Sequence, residues 1–330
     1  MAYPYLQDLV SAATGLHLPL PVPTFGLCVL VAVLISEVFA KAEVRRLYAA
    51  GQLGMAVRRV RKDGQRTEVR LPPQEVVFDF VLTVVLAGIV GARVFSIAET
   101  PHEFLADPWG MIFSRQGLNF LGGLLFGIGA GIVFVKSRRL SLPVACDAFA
   151  PALMLAYALG RVGCQLAGDG DWGIAADMAL KPHWLPTVLW AQTYDHNILG
   201  ETIPPPGVYP TPFYEILMSL ACFGILWALR KHPFRHGWLF AVYLILTGLE
   251  RLAIEPIRVN TRTTLLGLQV TQAQVLSFLL ALCGIVGLVL LTRRRATASS
   301  GPLAREPEPV QPPRQDHEGR QNHKDQYRSQ

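Results

Sequence analysis

The sequence predicts an all-α polytopic membrane protein of seven transmembrane helices, with its N-terminus outside and its C-terminus in the cytoplasm. Three observations carry that prediction. Apolar residues make up 51% of the 330 and charged residues only 16%, against ~25% charged in soluble domains. Seven apolar runs approach the length of about 20 residues that a spanning helix needs. The basic residues are dense in every second connection and sparse in the others, as expected when alternate connections face the cytoplasm.

The first run, near 20–40, is not a cleavable signal peptide, because no Lys or Arg precedes it and Asp8 does. The connection after it holds nine basic residues between Lys41 and Arg70. Within it, residues 55–71 alternate around Lys62-Asp63-Gly64 and read as a small cytoplasmic β-hairpin. The runs near 77–98, 143–164, 213–229 and 237–257 carry isolated ionisable residues, so length and flanks define them, and the run near 117–135 carries none. The last run spans 271–292. Lys136, Arg138 and Arg139, then Arg230, Lys231 and Arg235, then Arg293, Arg294 and Arg295 mark further cytoplasmic junctions, whereas the outer connections hold only Arg115, Lys181, Arg258 and Arg262. The domain reading is one transmembrane unit, 1–292, with a hairpin insert at about 50–72 and an outer loop at about 165–210. Residues 293–330 form a polar, Pro-rich tail expected to be disordered.

The net charge of +6 is therefore topological, and nucleic acid is excluded as a partner. The five cysteines lie in or beside apolar runs without a CxxC pair and read as small hydrophobes, so no metal and no cofactor is expected. No internal repeat of a transporter kind is visible.

Arg93, Arg161 and Arg251 sit inside apolar runs, where each costs at least ~2.5–3.5 kcal/mol at a helix centre and so needs a partner. All three fall near the outer ends of helices that run outward. Together they suit an anion site at the depth of phospholipid phosphates, since arginine pairs with phosphate through two parallel donors. Taken singly, each reads equally as snorkelling or paired with a carboxylate. Glu255 and Arg258 follow Arg251 on one helical face. In 160–173, GRVGCQLAGDGDWG, the helix leaves the membrane through Asp169 and Asp171. That segment lacks the 12-residue pattern of a calcium loop. It reads either as a plain turn or as a place where an aspartate positions or deprotonates a substrate group. Trp184, Trp190 and Tyr194 in the outer loop suggest interfacial anchors or a flap over an incoming peptide, and His183 and His196 suggest solvated surface.

In order along the chain come Gly91-Ala92-Arg93, GLNFLGGLLFG at 117–127 with its Gly122-Gly123 pair, Asp147 and Pro151, GRVGCQLAGDGDWG, Pro210 to Glu215 (PTPFYE), and Gly237 leading to Glu250 through Arg258 (ERLAIEPIR). With this topology, the pieces resemble the prolipoprotein diacylglyceryl transferases over roughly residues 20–292. The resemblance implies a multi-pass enzyme of the bacterial inner membrane with a periplasmic N-terminus and outer loop. It would move the diacylglyceryl group of phosphatidylglycerol onto the lipobox cysteine thiol in a prolipoprotein signal peptide, forming a thioether and releasing glycerol phosphate. Its partners would be phosphatidylglycerol, prolipoprotein signal peptides and membrane lipids.

By the same resemblance Arg161 and Arg251 are the arginines that hold the lipid phosphate, with Arg93, Arg258, Gly122 and Gly123 beside the lipid. Glu255 joins Asp169 and Asp171 as a catalytic candidate. The chain departs from the best-known members in Leu121 (a histidine proposed as base), Phe25 and Thr247 (tyrosines) and Cys164 (an asparagine). A thiol of pKa about 8.5 is only slightly ionised at neutral pH. Neighbouring guanidiniums lower that pKa and stabilise the departing phosphate, so electrostatics carries more of the rate here unless Asp169 or Asp171 takes the proton. The alternative functions are a non-catalytic paralogue that binds anionic lipid or signal peptides and a small-anion transporter.

Overall fold

The computed structural model describes residues 2–16, 19, 21–62, 65–113, 119–260, 263–265 and 268–292. Asp63, Gly64, Arg115, Gly117, Arg262 and the tail 293–330, with its expected disorder, lie outside them. Among the described residues the protein is mostly helical: α1 (Leu6–Thr14), α2 (Thr24–Ala49), α3 (Val77–Glu99), α4 (Pro101–Ala106), α5 (Pro108–Phe113), α6 (Phe120–Ser137), α7 (Leu142–Ala167), α8 (Thr211–Leu229), α9 (Trp238–Ile254) and α10 (Gln272–Leu291). The expected hairpin is present as β1 (Ala56–Lys62) and β2 (Gln65–Leu71), antiparallel with Ala56 opposite Leu71 and Lys62 opposite Gln65. A second small ribbon, β3 (Thr263–Leu265) with β4 (Leu268–Val270), precedes α10. Neither α1 nor this ribbon was foreseen, because both are short and lie outside the long apolar runs.

Among the described residues, six helices are long and apolar enough to cross a membrane: α2, α3 with the turn before it, α6, α7, α8 and α10. The sixth expected run, 237–257, ends differently. It forms α9, 17 residues long, and then a single 3-10 turn, Glu255–Ile257. At 1.5 Å per residue α9 reaches about 26 Å, short of the ~30 Å hydrocarbon core. Pro256 explains the stop, since it offers no N–H to continue the helix.

Helix α7 is the centre of the bundle. More than half of its apolar window is buried, 56%, against 11–22% for the other five. It packs on α2, α8 and α9, while α3 pairs with α6 and α9 with α10. Small residues make these approaches close. A Cβ on Gly122 of α6 would collide with the Gly91 carbonyl and Phe95 of α3, and one on Gly248 of α9 would meet the Ser277 carbonyl of α10 at 2.6 Å. Outward, Leu30, Val38, Val90, Val133, Val289 and Leu290 of α2, α3, α6 and α10 are more than half exposed, a surface suited to lipid rather than water.

One polar contact ties two central helices together. Asp147, buried in α7, accepts from the backbone N–H groups of Gly237 at 2.7 Å and Phe240 at 2.9 Å, so it caps the start of α9 from a neighbouring helix. The Nε2 of His232 lies 3.6 Å from the same carboxylate.

Candidate active site

At the far end of α7, α8 and α9 from that cap, charged side chains converge on one buried carboxylate. Glu215, in the second turn of α8, is 0% exposed. Its Oε1 accepts from Arg251 Nη1 of α9 at 3.0 Å and from the Tyr157 hydroxyl of α7 at 3.2 Å. Its Oε2 is ion-paired with Arg161 Nε at 3.0 Å and Arg258 Nη1 at 3.3 Å. Arg161 also donates to the Tyr157 hydroxyl at 3.0 Å, with its guanidinium over that ring at 5.0 Å. A charge at 0% exposure is tolerable only because three opposite charges and a hydroxyl surround it.

Asp171 is the second junction. Its Oδ1 accepts from Arg258 Nη2 at 2.7 Å, and its Oδ2 pairs with Arg161 Nη1. Burial alone would push the Asp171 carboxyl up; Arg161 and Arg258 outweigh that and hold it below the ordinary value of 3.8. Glu255 closes the arc. Its Oε2 lies 3.5 Å from Arg251 Nε, and its Oε1 accepts from Thr271 Oγ1 at 2.5 Å and Asn260 Nδ2 at 2.7 Å. Glu250, next to Arg251 but turned toward α8, is hydrogen-bonded by Ser219 Oγ.

The backbone that presents Asp171 is firmly placed. Gly168 ends α7 with φ +61°, and Gly170 follows at φ +94°, conformations that admit glycine readily. Thr211 Oγ1 donates to the Asp171 carbonyl at 2.6 Å. Gly173 N–H then donates to the Tyr209 carbonyl at 2.8 Å, and Ile174 N–H to the Ile257 carbonyl at 2.8 Å. Any side chain at Gly173 would run into that Ile257 carbonyl and into Thr211. The loop after α7 thus lies against the turn after α9, beside Arg258.

The expected residues fall into two groups. Arg161, Arg251, Arg258, Glu255 and Asp171 come together. Asp169 is next to them, its Oδ1 accepting from the Asp171 N–H at 3.3 Å. Arg93, by contrast, lies on α3, which packs chiefly on α6. Gly122 and Gly123 lie in the α3–α6 contact, where Gly123 faces the Gly88 carbonyl. The three-arginine arrangement expected from depth is thus built with Arg258 in the third place. Leu121, where the resemblance implies a histidine, is 47% exposed on α6. In the loop between α7 and α8, Tyr194 is a core residue rather than an interfacial anchor: it is 0% exposed, its ring lies tilted against Trp172 at 5.3 Å, and its hydroxyl donates to Gln165. Burial raises its pKa. Trp184 is 81% exposed, and His183 and His196 are exposed.

Glu215 and Tyr157 were missed. The signal was available for Glu215, a carboxylate three residues into the apolar run 213–229, had the need for a partner been applied to acids as it was to arginines. Cys164 Sγ and one carboxylate oxygen each of Asp169 and Asp171 lie within 4.8 Å of one another. With Asp171 held by two guanidiniums, that trio is a poor cation site, since the arginines repel a cation.

What the arrangement offers is a set of fixed guanidiniums at a helix-bundle end, matched to a tetrahedral anion. A model of the prolipoprotein diacylglyceryl transferase family matches residues 13–290. The chain is similar to the phosphatidylglycerol–prolipoprotein diacylglyceryl transferase of Bacillus cytotoxicus, 30% identical over 240 residues, which is 72% of this chain and 83% of the relative. It is also similar to the second such enzyme of Streptomyces coelicolor, 28% identical over 291 residues (85% and 81%), and to that of Corynebacterium glutamicum ATCC 13032, 26% identical over 295 residues (84% and 82%).

Proposed function

The chain belongs to the prolipoprotein diacylglyceryl transferase family, and from that premise we propose how its own residues carry the reaction. The protein is a membrane transferase of lipoprotein biosynthesis that uses phosphatidylglycerol and prolipoproteins. In the finer reading it sits in the bacterial inner membrane with seven crossings, α9 and its 3-10 turn making the sixth, a periplasmic N-terminus and outer loop, and a cytoplasmic hairpin and C-terminus. The asymmetry of basic residues supports this orientation.

The observation that carries the site assignment is the convergence of Arg161, Arg251 and Arg258 on Glu215. Glu215, Tyr157 and Glu255 hold the three guanidiniums in place. The guanidiniums bind the phosphate of phosphatidylglycerol. The lipobox cysteine of the signal peptide approaches from the side of the 168–173 loop. Its sulfur attacks the glyceryl carbon that bears the phosphate; the S–C bond forms, the C–O bond breaks, and its electron pair leaves on glycerol phosphate. The same guanidiniums favour the thiolate and the charge that grows on the leaving oxygen. Arg93, Gly122 and Gly123 contribute to the lipid side through the α3–α6 pair.

Complementation of a strain depleted of its own transferase tests the reading. The wild-type gene restores growth and thioether-linked lipoprotein, while Arg161→Ala and Arg251→Ala do not. Full rescue by Arg161→Ala would sink the phosphate site. Binding of phosphatidylglycerol without thioether formation by the wild-type protein would leave a lipid binder in place of an enzyme.

A further inference from the structure

The ion pairs of the site link three guanidiniums, Arg161, Arg251 and Arg258, to three carboxylates, Glu215, Asp171 and Glu255. As it stands the site is balanced, and an incoming phosphate meets arginines already engaged. One of the three carboxylates must yield. Glu215 and Glu255 have side chains 0% and 1% exposed, and both stem from the helix ends that define the bundle. The Asp171 side chain is 35% exposed. It bridges the Nη groups of two arginines with its two oxygens, the same two-point bite a phosphate makes.

We propose that Asp171 is an internal counter-anion that occupies the phosphate position, is displaced by the phosphate of phosphatidylglycerol, and then accepts the proton of the attacking thiol. This rests on the phosphate site proposed above. The movement is a rotation of the side chain and not an opening of the loop, because the backbone on either side is fixed: Thr211 holds the Asp171 carbonyl, and Trp172 and Gly173 are packed in place. While Arg161 and Arg258 hold it, the carboxylate is a weak base. Once the phosphate takes over both guanidiniums, its basicity returns to that of an ordinary aspartate beside the reacting sulfur. The S–H proton passes to Asp171, the sulfur pair forms the S–C bond, the C–O pair leaves with glycerol phosphate, and the proton leaves Asp171 for that phosphate monoester or for water. Substrate binding thereby sets free the group that completes the reaction, in a chain whose Leu121 cannot take a proton.

The experiment uses the full chain in detergent and in phosphatidylglycerol vesicles, with Asp171→Asn (same shape, no charge) and Asp171→Ser as a second variant. Glycerol phosphate is the binding probe, read by calorimetry, with thermal melting as the check of folding. The expected result is a split: the probe binds about tenfold more tightly to Asp171→Asn, while transfer at saturating lipid falls about 100-fold. A merely structural role would weaken both together, and that result overturns the proposal. Unchanged or weaker probe binding to folded Asp171→Asn or Asp171→Ser overturns the displaced anion; near-wild-type transfer by either variant overturns the proton acceptor. Tight probe binding that survives Arg161→Gln in the Asp171→Asn background would place the anion elsewhere, and would thus reject the phosphate site on separate grounds.

Discussion

Glu215 has more partners than any other acid in the site, and its neutral isostere is the most informative single change. Glu215→Gln keeps the shape but leaves Arg161, Arg251 and Arg258 to repel one another in a buried setting. Breaking one side of a buried pair costs about 3–5 kcal/mol, so a lowered Tm and nearly complete loss of transfer are expected, measured by thermal melting and thioether formation. Asp171 makes a different prediction, in acid. Its folded pKa is depressed, so its contribution to stability is present above the ordinary value of 3.8 and disappears as pH falls through the folded value. Hydrogen exchange of the peptide covering 168–175 is therefore expected to show steady protection through neutral pH and to lose it only below about pH 4; loss near pH 6 would contradict the pairing. The arginines mark how far the sequence alone reaches. Arg161 and Arg251 stood out because an unpaired guanidinium in an apolar run is costly whatever surrounds it. Arg93 met the same criterion, yet it lies on α3, on the α6 side of the bundle. Depth along a helix follows from counting residues, whereas which helices are neighbours depends on contacts between distant parts of the chain.

Among the elements, α9 is the most dependent on its surroundings. Its N-terminus has no side-chain cap of its own and relies on Asp147 from α7, 90 residues earlier in sequence. Asp147→Ala leaves the Gly237 and Phe240 N–H groups without that acceptor. Loss of a cap is worth about 1–2 kcal/mol, and because α9 carries Arg251, transfer is expected to fall along with Tm. Asp147→Asn, which keeps an acceptor, is expected to recover much of both. An unchanged Tm in the alanine variant would show that the cap contributes nothing. The helices themselves were legible, since lipid-facing segments must be long and apolar. The exceptions follow from the same rule. Helix α1 and the β3–β4 ribbon are too short to leave a periodic signal, and α9 stops at Pro256, which the apolar run passes over. The β1–β2 hairpin was legible from its alternation.

For the molecule as a whole, the distribution of basic residues makes a claim about sides. In single-cysteine variants of intact cells, a membrane-impermeant thiol reagent is expected to label a cysteine placed at Trp184, 81% exposed in the outer loop, and not one placed at Glu68 of β2. The reverse pattern would invert the proposed topology. The two ends of the bundle differ: one holds the ion-pair cluster and the loop between α7 and α8 folded against it, and the other holds the Asp147 cap.

The shortness of α9 has a consequence for biogenesis. A 17-residue segment with Glu250 and Arg251 in its last five residues gains little by leaving the translocon alone, because a carboxylate and a guanidinium oppose its partition into lipid. Its counter-charge on Glu215 and its cap on Asp147 belong to α8 and α7, both synthesised earlier. On the proposed seven-crossing topology, α9 enters the membrane by assembling onto helices already in place, and the proposed phosphate site is completed in that same step.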